Sequence, residues 1–357
     1  MTVKTWMYVS GALSGGELAA LKEAGVTGVM GPKEIAAPAQ AQGLQVLLCG
    51  GAFPAGGFAG EDHLALDIRG RRRVWFYSCC PNHGPTRQAN LAMYRELAAT
   101  PGIAGLVIDG ARFASPASSF QPEAFFTCFC PRCLEKIGEL GLDPERVQEG
   151  VSALYAWLRE GGPKPGDWSG VGDWLTFRRM CATEHLKDFA ALAHQAEVEA
   201  GAFFFAPSLA GLVGQSYRDM AGVMDFLSPM LYPAYPQQEG DPGTACLNWE
   251  LYALGRLLAG AMGEEAARRE LSRQMGYALP PLEELKREAP RGLIAAETAR
   301  AREEAGPARV TPILQLDDPG LPESVAQAQK GGAGELAFFA YRKELLPALR
   351  EALQGRG

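Results

Sequence analysis

Gly105-Leu-Val-Ile-Asp-Gly-Ala-Arg-Phe113 reads as a buried strand that ends on a carboxylate. Its apolar residues run on without polar alternation, as a parallel strand covered on both faces requires. Outward from this stretch, similar runs recur along the chain. They are Thr5–Ser10, Val26–Gly31, Leu44–Cys49, Ile103–Asp109 (the run just quoted), Ala202–Pro207, Met224–Tyr232, Val310–Leu316 and Glu335–Tyr341. Longer helix-like segments separate them. Strands alternating with helices give an α/β protein with a parallel sheet, and eight such repeats predict closure into a (β/α)8 TIM barrel.

Helix signals fit the gaps. Ser14 and Glu17 form a capping-box pattern ahead of a helix ending near Gly25. Asp143-Pro144 places a cap before a first-turn proline. The longest predicted helix runs from about Asp173 to Gly201, with Leu175, Ala182, Leu186, Phe189 and Ala193 on one apolar stripe. Residues 1–357 are expected to form a single barrel domain with long insertions after strands four and six, at about 110–172 and 234–308. Both insertions fall on the face where barrel enzymes build their sites. Within the first, Gly161–Gly170 reads as a flexible connector.

The chain has 357 residues, 47% apolar and 21% charged, which suits one large core. A net charge of −7 gives no basic surplus for nucleic acid. The run Arg71-Arg72-Arg73 reads as a solvated loop. No leader pattern and no membrane-length apolar run is apparent, so the expectation is a cytoplasmic protein with no membrane partner. The oligomeric state is left open, a homo-oligomer included.

Eight cysteines in a reducing compartment point to thiols or metal ligands rather than disulfides. Thr127-Cys-Phe-Cys-Pro-Arg-Cys133 brings three thiols together in C-x-C-x-x-C spacing, and zinc favours four such ligands in a tetrahedron. The fourth comes from Ser78-Cys-Cys-Pro-Asn82, where Cys79 and Cys80 are both candidates. Three unrelated thiols are the plainer alternative.

These residues resemble the zinc-containing β-galactosidases of glycoside hydrolase family 42. Members of that family carry the same cluster after their fourth barrel strand, with one cysteine farther upstream. Here Cys80, then Arg87 seven places on, then strand four, then Cys128, Cys130 and Cys133 follow that order, and the parallel extends over about residues 71–190. The resemblance implies structural Zn2+ at Cys80, Cys128, Cys130 and Cys133, and a carbohydrate substrate. In the family's clan the two catalytic carboxylates follow strands four and seven. Asp109 stands at the first position, and Asp317 and Asp318 at the second, in Val310-Thr-Pro-Ile-Leu-Gln-Leu-Asp-Asp318. The family's Asn-Glu pair after strand four is Gly110-Ala111 here, so retaining β-galactosidase activity is not implied. Asp109-Gly-Ala-Arg-Phe113 and Ser228-Pro-Met-Leu-Tyr-Pro233 are similar to motifs of uncharacterised glycosidase-like barrels.

The expected function is therefore a glycoside hydrolase acting on an oligosaccharide or glycoside. Asp109, Asp317 and Asp318 are the candidate catalytic residues. Arg112, Tyr232, Gln315, Tyr341 and Arg342, all at strand ends, are candidates for holding the sugar, and Tyr232 and Tyr235 offer aromatic faces. Asp109 has a structural alternative in pairing with Arg112, and Asp318 in capping a helix near Pro319–Pro322. The competing functions are a sugar-binding barrel without catalysis and a zinc-dependent hydrolase. His63, His83, His185 and His194 are scattered, and neither a nucleophile elbow nor a phosphate loop occurs.

Overall fold

The computed structural model describes residues 4–118, 121–236 and 245–354. Eight parallel strands form its core: β1 Lys4–Tyr8, β2 Gly28–Gly31, β3 Gln45–Gly51, β4 Gly105–Asp109, β5 Glu199–Phe204, β6 Phe226–Pro229, β7 in two pieces (Arg309–Val310 and Ile313–Gln315), and β8 Glu335–Phe339. The first piece of β7 pairs with β6 at Phe226↔Arg309 and Leu227↔Val310. A bridge from Met230 to Ile313 continues that edge, and the second piece pairs with β8. Pro312, which lacks an N–H for the ladder, separates the two pieces. β8 returns to β1 in the register Lys4↔Glu335 to Met7↔Phe338, so the sheet closes on itself. The protein is a (β/α)8 barrel.

Ser14 and Glu17 make the expected reciprocal capping box on helix Gly15–Glu23. Asp143 accepts from the Glu145 and Arg146 amides at the start of helix Pro144–Arg159. The long outer helix is Ser169–Gln195, starting earlier and stopping sooner than expected. Glu197 adopts a left-handed conformation (φ 58°) and turns the chain into β5, which therefore begins at Glu199 rather than Ala202. The basic run is also different from expectation. Arg72–Arg73 pairs antiparallel with Ala65–Leu66, and the buried Asp67 carboxylate accepts from Arg71 Nε at 3.0 Å and Arg73 Nε at 2.9 Å.

The segment after β4 builds its own apolar cluster, with Phe113, Phe126, Val151, Trp174 and Phe177 packed around the cysteine sulfurs. Arg178 lies fully buried within it, its guanidinium 4.2 Å from the Trp174 ring, and donates to the carbonyls of Thr127, Leu212 and Phe125. Three carbonyl acceptors and aromatic faces meet the requirement that a buried cation be compensated. The segment after β6 supplies helices Leu247–Met262, Glu264–Met275 and Gly292–Ala305. Among the described residues no helix is long and apolar enough to cross a membrane.

Candidate active site and four-cysteine centre

Asp109 closes β4 with its carboxyl partly buried at the C-terminal mouth of the barrel. Gly110 follows at φ +68°, a conformation that turns the chain sharply; a Cβ there would meet the Phe76 ring at 3.4 Å. Arg112 is buried between two rings, 5.4 Å from Phe76 and 4.8 Å from Phe205. It donates from Nη1 to the Phe113 carbonyl at 3.2 Å, and its other donors have no acceptor among the described residues. Burial pushes the Asp109 carboxyl up to about 6, against the opposing pull of Arg112 and the Gly110 amide. A carboxyl so placed retains a proton far closer to neutrality than an exposed aspartate does.

Tyr8 and Tyr232 border this carboxyl. Burial raises both phenols, and the Asp109 charge raises them further. Tyr8 lies 5.5 Å from Phe339 and 5.9 Å from Phe203, and Tyr232 stacks on Phe339 at 5.6 Å. The Tyr232 ring is thus committed to packing, while its hydroxyl has no partner among the described residues.

On the β7–β8 side, Gln315 donates to Asp317 at 2.5 Å, and Arg342 forms an ion pair with the same carboxylate. Gln315 Oε1 and the Tyr341 hydroxyl are buried and lack partners among the described residues, as does Ser228 Oγ on β6. Buried polar atoms of this kind are costly unless a ligand or water meets them. Tyr8, Ser10, Glu17, Phe339, Tyr341 and Arg342 enclose a pocket of about 430 Å³ between the ends of β1 and β8. Tyr8, which lines this pocket, also stands close enough to Asp109 to feel its charge.

Asp318 is differently placed. It is buried, accepts from Arg291 at 2.5 Å and Ser324 at 2.6 Å, and caps the Gly320 amide at 2.9 Å. These contacts fix the start of helix Leu321–Lys330.

One ionisable group at the mouth carries no sequence signal. Glu250, in the first turn of helix Leu247–Met262, is buried and accepts from the Ser115 hydroxyl at 2.6 Å and the Ala117 amide at 3.3 Å. Burial pushes it up to about 7, while Ser115 and Arg112 pull the other way. In sequence it resembles any first-turn glutamate facing solvent; only contacts made from more than a hundred residues away distinguish it.

The Sγ atoms of Cys80, Cys128, Cys130 and Cys133 lie within 4.8 Å of one another and are buried. Cys80 stands 3.6 Å from Cys130, 3.4 Å from Cys133 and 3.6 Å from Cys128. Four sulfurs at about 2.3 Å from one tetrahedral ion stand roughly 3.8 Å apart, so the set fits a metal closely. These separations are far too long for disulfides. Asn82 adds N–H donors to Cys80 at 3.4 Å and Cys133 at 3.3 Å, the outer contacts that thiolate ligands favour. Hydrogen bonds from Cys128, Cys133 and Cys80 hold the Cys130 thiol below its ordinary pKa. Cys79 points elsewhere, its sulfur 3.5 Å from Thr86 Oγ1. Arg87 pairs with Glu184 and Asp188 on the outer helix.

The barrel fold is shared by solved glycoside hydrolases. The chain is similar to the PgaB (BpsB) glycoside hydrolase domain of Bordetella bronchiseptica, at 14% identity and a TM-score of 0.58 over 99% of both chains. It is also similar to a β-galactosidase from the psychrophilic Marinomonas ef1, with 11% identity, a TM-score of 0.59 and coverage of 98% of this chain and 59% of that one. Gan42B, a GH42 β-galactosidase from G. stearothermophilus, matches at 12% identity and a TM-score of 0.52, covering 99% and 56%. The chain therefore spans little more than half the length of either galactosidase. At these identities the likeness establishes the fold. No family model and no curated protein matches the sequence.

Proposed function

We propose that the chain is a single-domain glycoside hydrolase working at the barrel mouth, with Asp109 as the general acid. The observation that carries this is a carboxyl at the end of β4, at the barrel mouth beside Tyr8 and Tyr232, and burial raises its pKa to about 6. A protonated carboxyl donates to the glycosidic oxygen as the bond to the anomeric carbon breaks, and a second carboxylate serves as nucleophile or as base toward water. We assign that second role to Asp317, which Gln315 and the pocket-lining Arg342 hold in place. Asp318 has its oxygens engaged by Arg291, Ser324 and the Gly320 amide, so it is the weaker candidate. The spare donors of Arg112, the Tyr232 hydroxyl, Gln315 Oε1 and the Tyr341 hydroxyl suit sugar hydroxyls, and Tyr341 and Arg342 line the pocket between β1 and β8.

The four cysteines suit structural zinc. Bound there, the ion would cross-link the segment carrying Cys80 to the segment after β4. Four protein sulfurs leave no position for a metal-bound water, which counts against a zinc-dependent hydrolase. Sugar binding without cleavage is a second reading, favoured by Gly110-Ala111 where the resembled family has its Asn-Glu pair. A glycan-array screen followed by chromatography of the bound glycans separates the two. Release of a shorter sugar supports hydrolysis, and binding without any product supports the second reading.

A further inference from the structure

Trp75-Phe-Tyr-Ser78 forms a two-residue reverse turn on the rim between β3 and β4. Trp75 and Ser78 pair antiparallel, and the Ser78 amide donates to the Trp75 carbonyl at 2.7 Å. Both central residues have positive φ, 47° at Phe76 and 56° at Tyr77. This is the geometry of a type I′ turn, which Asn-Gly adopts without strain and bulky aromatic residues resist. The surroundings nevertheless impose it. The Ala55 amide binds the Tyr77 carbonyl at 2.7 Å, the Cys79 amide binds the Phe53 carbonyl at 2.8 Å, and Cys80 belongs to the sulfur cluster just beyond.

The Phe76 ring has a structural task, since it covers Arg112 and packs beside Gly110. The Tyr77 ring has none of that kind. It is 72% exposed, far above the other large apolar residues on the surface, and its side chain has no hydrogen-bond or ring partner among the described residues. A strained aromatic left in water, next to a residue that covers the Arg112 guanidinium, is the kind of outlier that collects at ligand clamps.

We propose that Tyr77 is a platform for a sugar unit beyond the one at Asp109, so that the substrate is a chain of several sugars. The proposal rests on the glycosidase reading and extends it. Tyr8, Tyr232 and Phe339 hold the β1, β6 and β8 side of the mouth, whereas Tyr77 lies in the segment after β3, next to Phe76, whose ring covers Arg112. A ligand touching both sides must be longer than one ring. An exposed phenol face matches the C–H face of a pyranose while leaving its hydroxyls hydrated.

The test is calorimetric titration of the full chain with cello-, chito- and β-1,4-galacto-oligosaccharides of one to six units, in an Asp109→Asn background so that nothing is cut. The expected result is that Tyr77→Ala weakens hexamer binding by about tenfold while monomer binding stays unchanged, and that Tyr77→Phe stays within about twofold of the parent. Tyr77→Gly should weaken the hexamer equally and raise the unfolding midpoint, because glycine relieves the turn. Equal hexamer affinity with and without the Tyr77 ring would overturn the platform while leaving the glycosidase reading intact. A parent protein that binds no chain of any length would remove both.

Discussion

The Ser115 hydroxyl donates to a Glu250 carboxylate oxygen across 2.6 Å, tying the segment after β4 to the helix after β6 above the barrel mouth. That bond and the Ala117 amide stabilise the charged form, yet burial outweighs them and raises the carboxyl from 4.5 to about 7. Between those values the folded chain keeps a proton that the unfolded chain has released. The contribution is therefore complete below pH 4.5 and disappears as the pH rises through about 7, amounting to on the order of 3 kcal/mol. Asp109, raised from 3.8 to about 6, adds a smaller effect of the same sign because it is partly exposed. Urea unfolding at pH 5 and pH 8 should show the loss, and Glu250→Gln should flatten most of it. An unchanged slope in that variant would assign the proton elsewhere.

Metal content discriminates between neighbouring thiols. Purified, untagged protein should carry one zinc per chain by elemental analysis. Cys80→Ser should lose it and become less stable by several kcal/mol, because metal affinity at such a centre is folding free energy. Cys79→Ser should retain the ion, since that sulfur faces Thr86. Zinc loss in both variants would mean that the two positions are not separable as their geometry indicates.

The two aspartates after β7 should behave in opposite ways. Asp318→Ala takes the buried carboxylate from Arg291, which keeps the half-exposed Glu288, and leaves the Ser324 hydroxyl and Gly320 amide without their acceptor, so it should cost roughly 1–3 kcal/mol of stability. Asp317→Ala breaks an ion pair to an arginine that is half exposed and should cost under about 1 kcal/mol, while removing most turnover. Thermal melts paired with product assays check both. Normal turnover in a stable Asp317→Ala protein would strike that residue from the mechanism.

The barrel was legible in the sequence because its strands are buried on both faces, and a short unbroken apolar run such as residues 105–108, set between helical segments, is what that burial demands. Errors lie where a backbone turn lacks its usual residue. Glu197 takes a left-handed turn without glycine, so β5 starts three residues before the apolar run that announces it. Phe76 and Tyr77 form a turn that their side chains disfavour, and nothing in their identity marks it. The cysteine set was legible from local spacing, and a contact 3.4 Å long picks Cys80 over Cys79. Glu250 was invisible, since its environment comes from Ser115, Ala117 and Arg112, all far away along the chain.

The most direct measurement is turnover of Asp109→Asn on a glycan that the wild-type protein cleaves. With folding and sugar binding retained, the rate should fall by roughly 10²–10⁴-fold, the share that a positioned proton donor contributes. Undiminished turnover in a well-folded Asp109→Asn protein would contradict the assignment of the general acid and place the chemistry somewhere other than the end of β4.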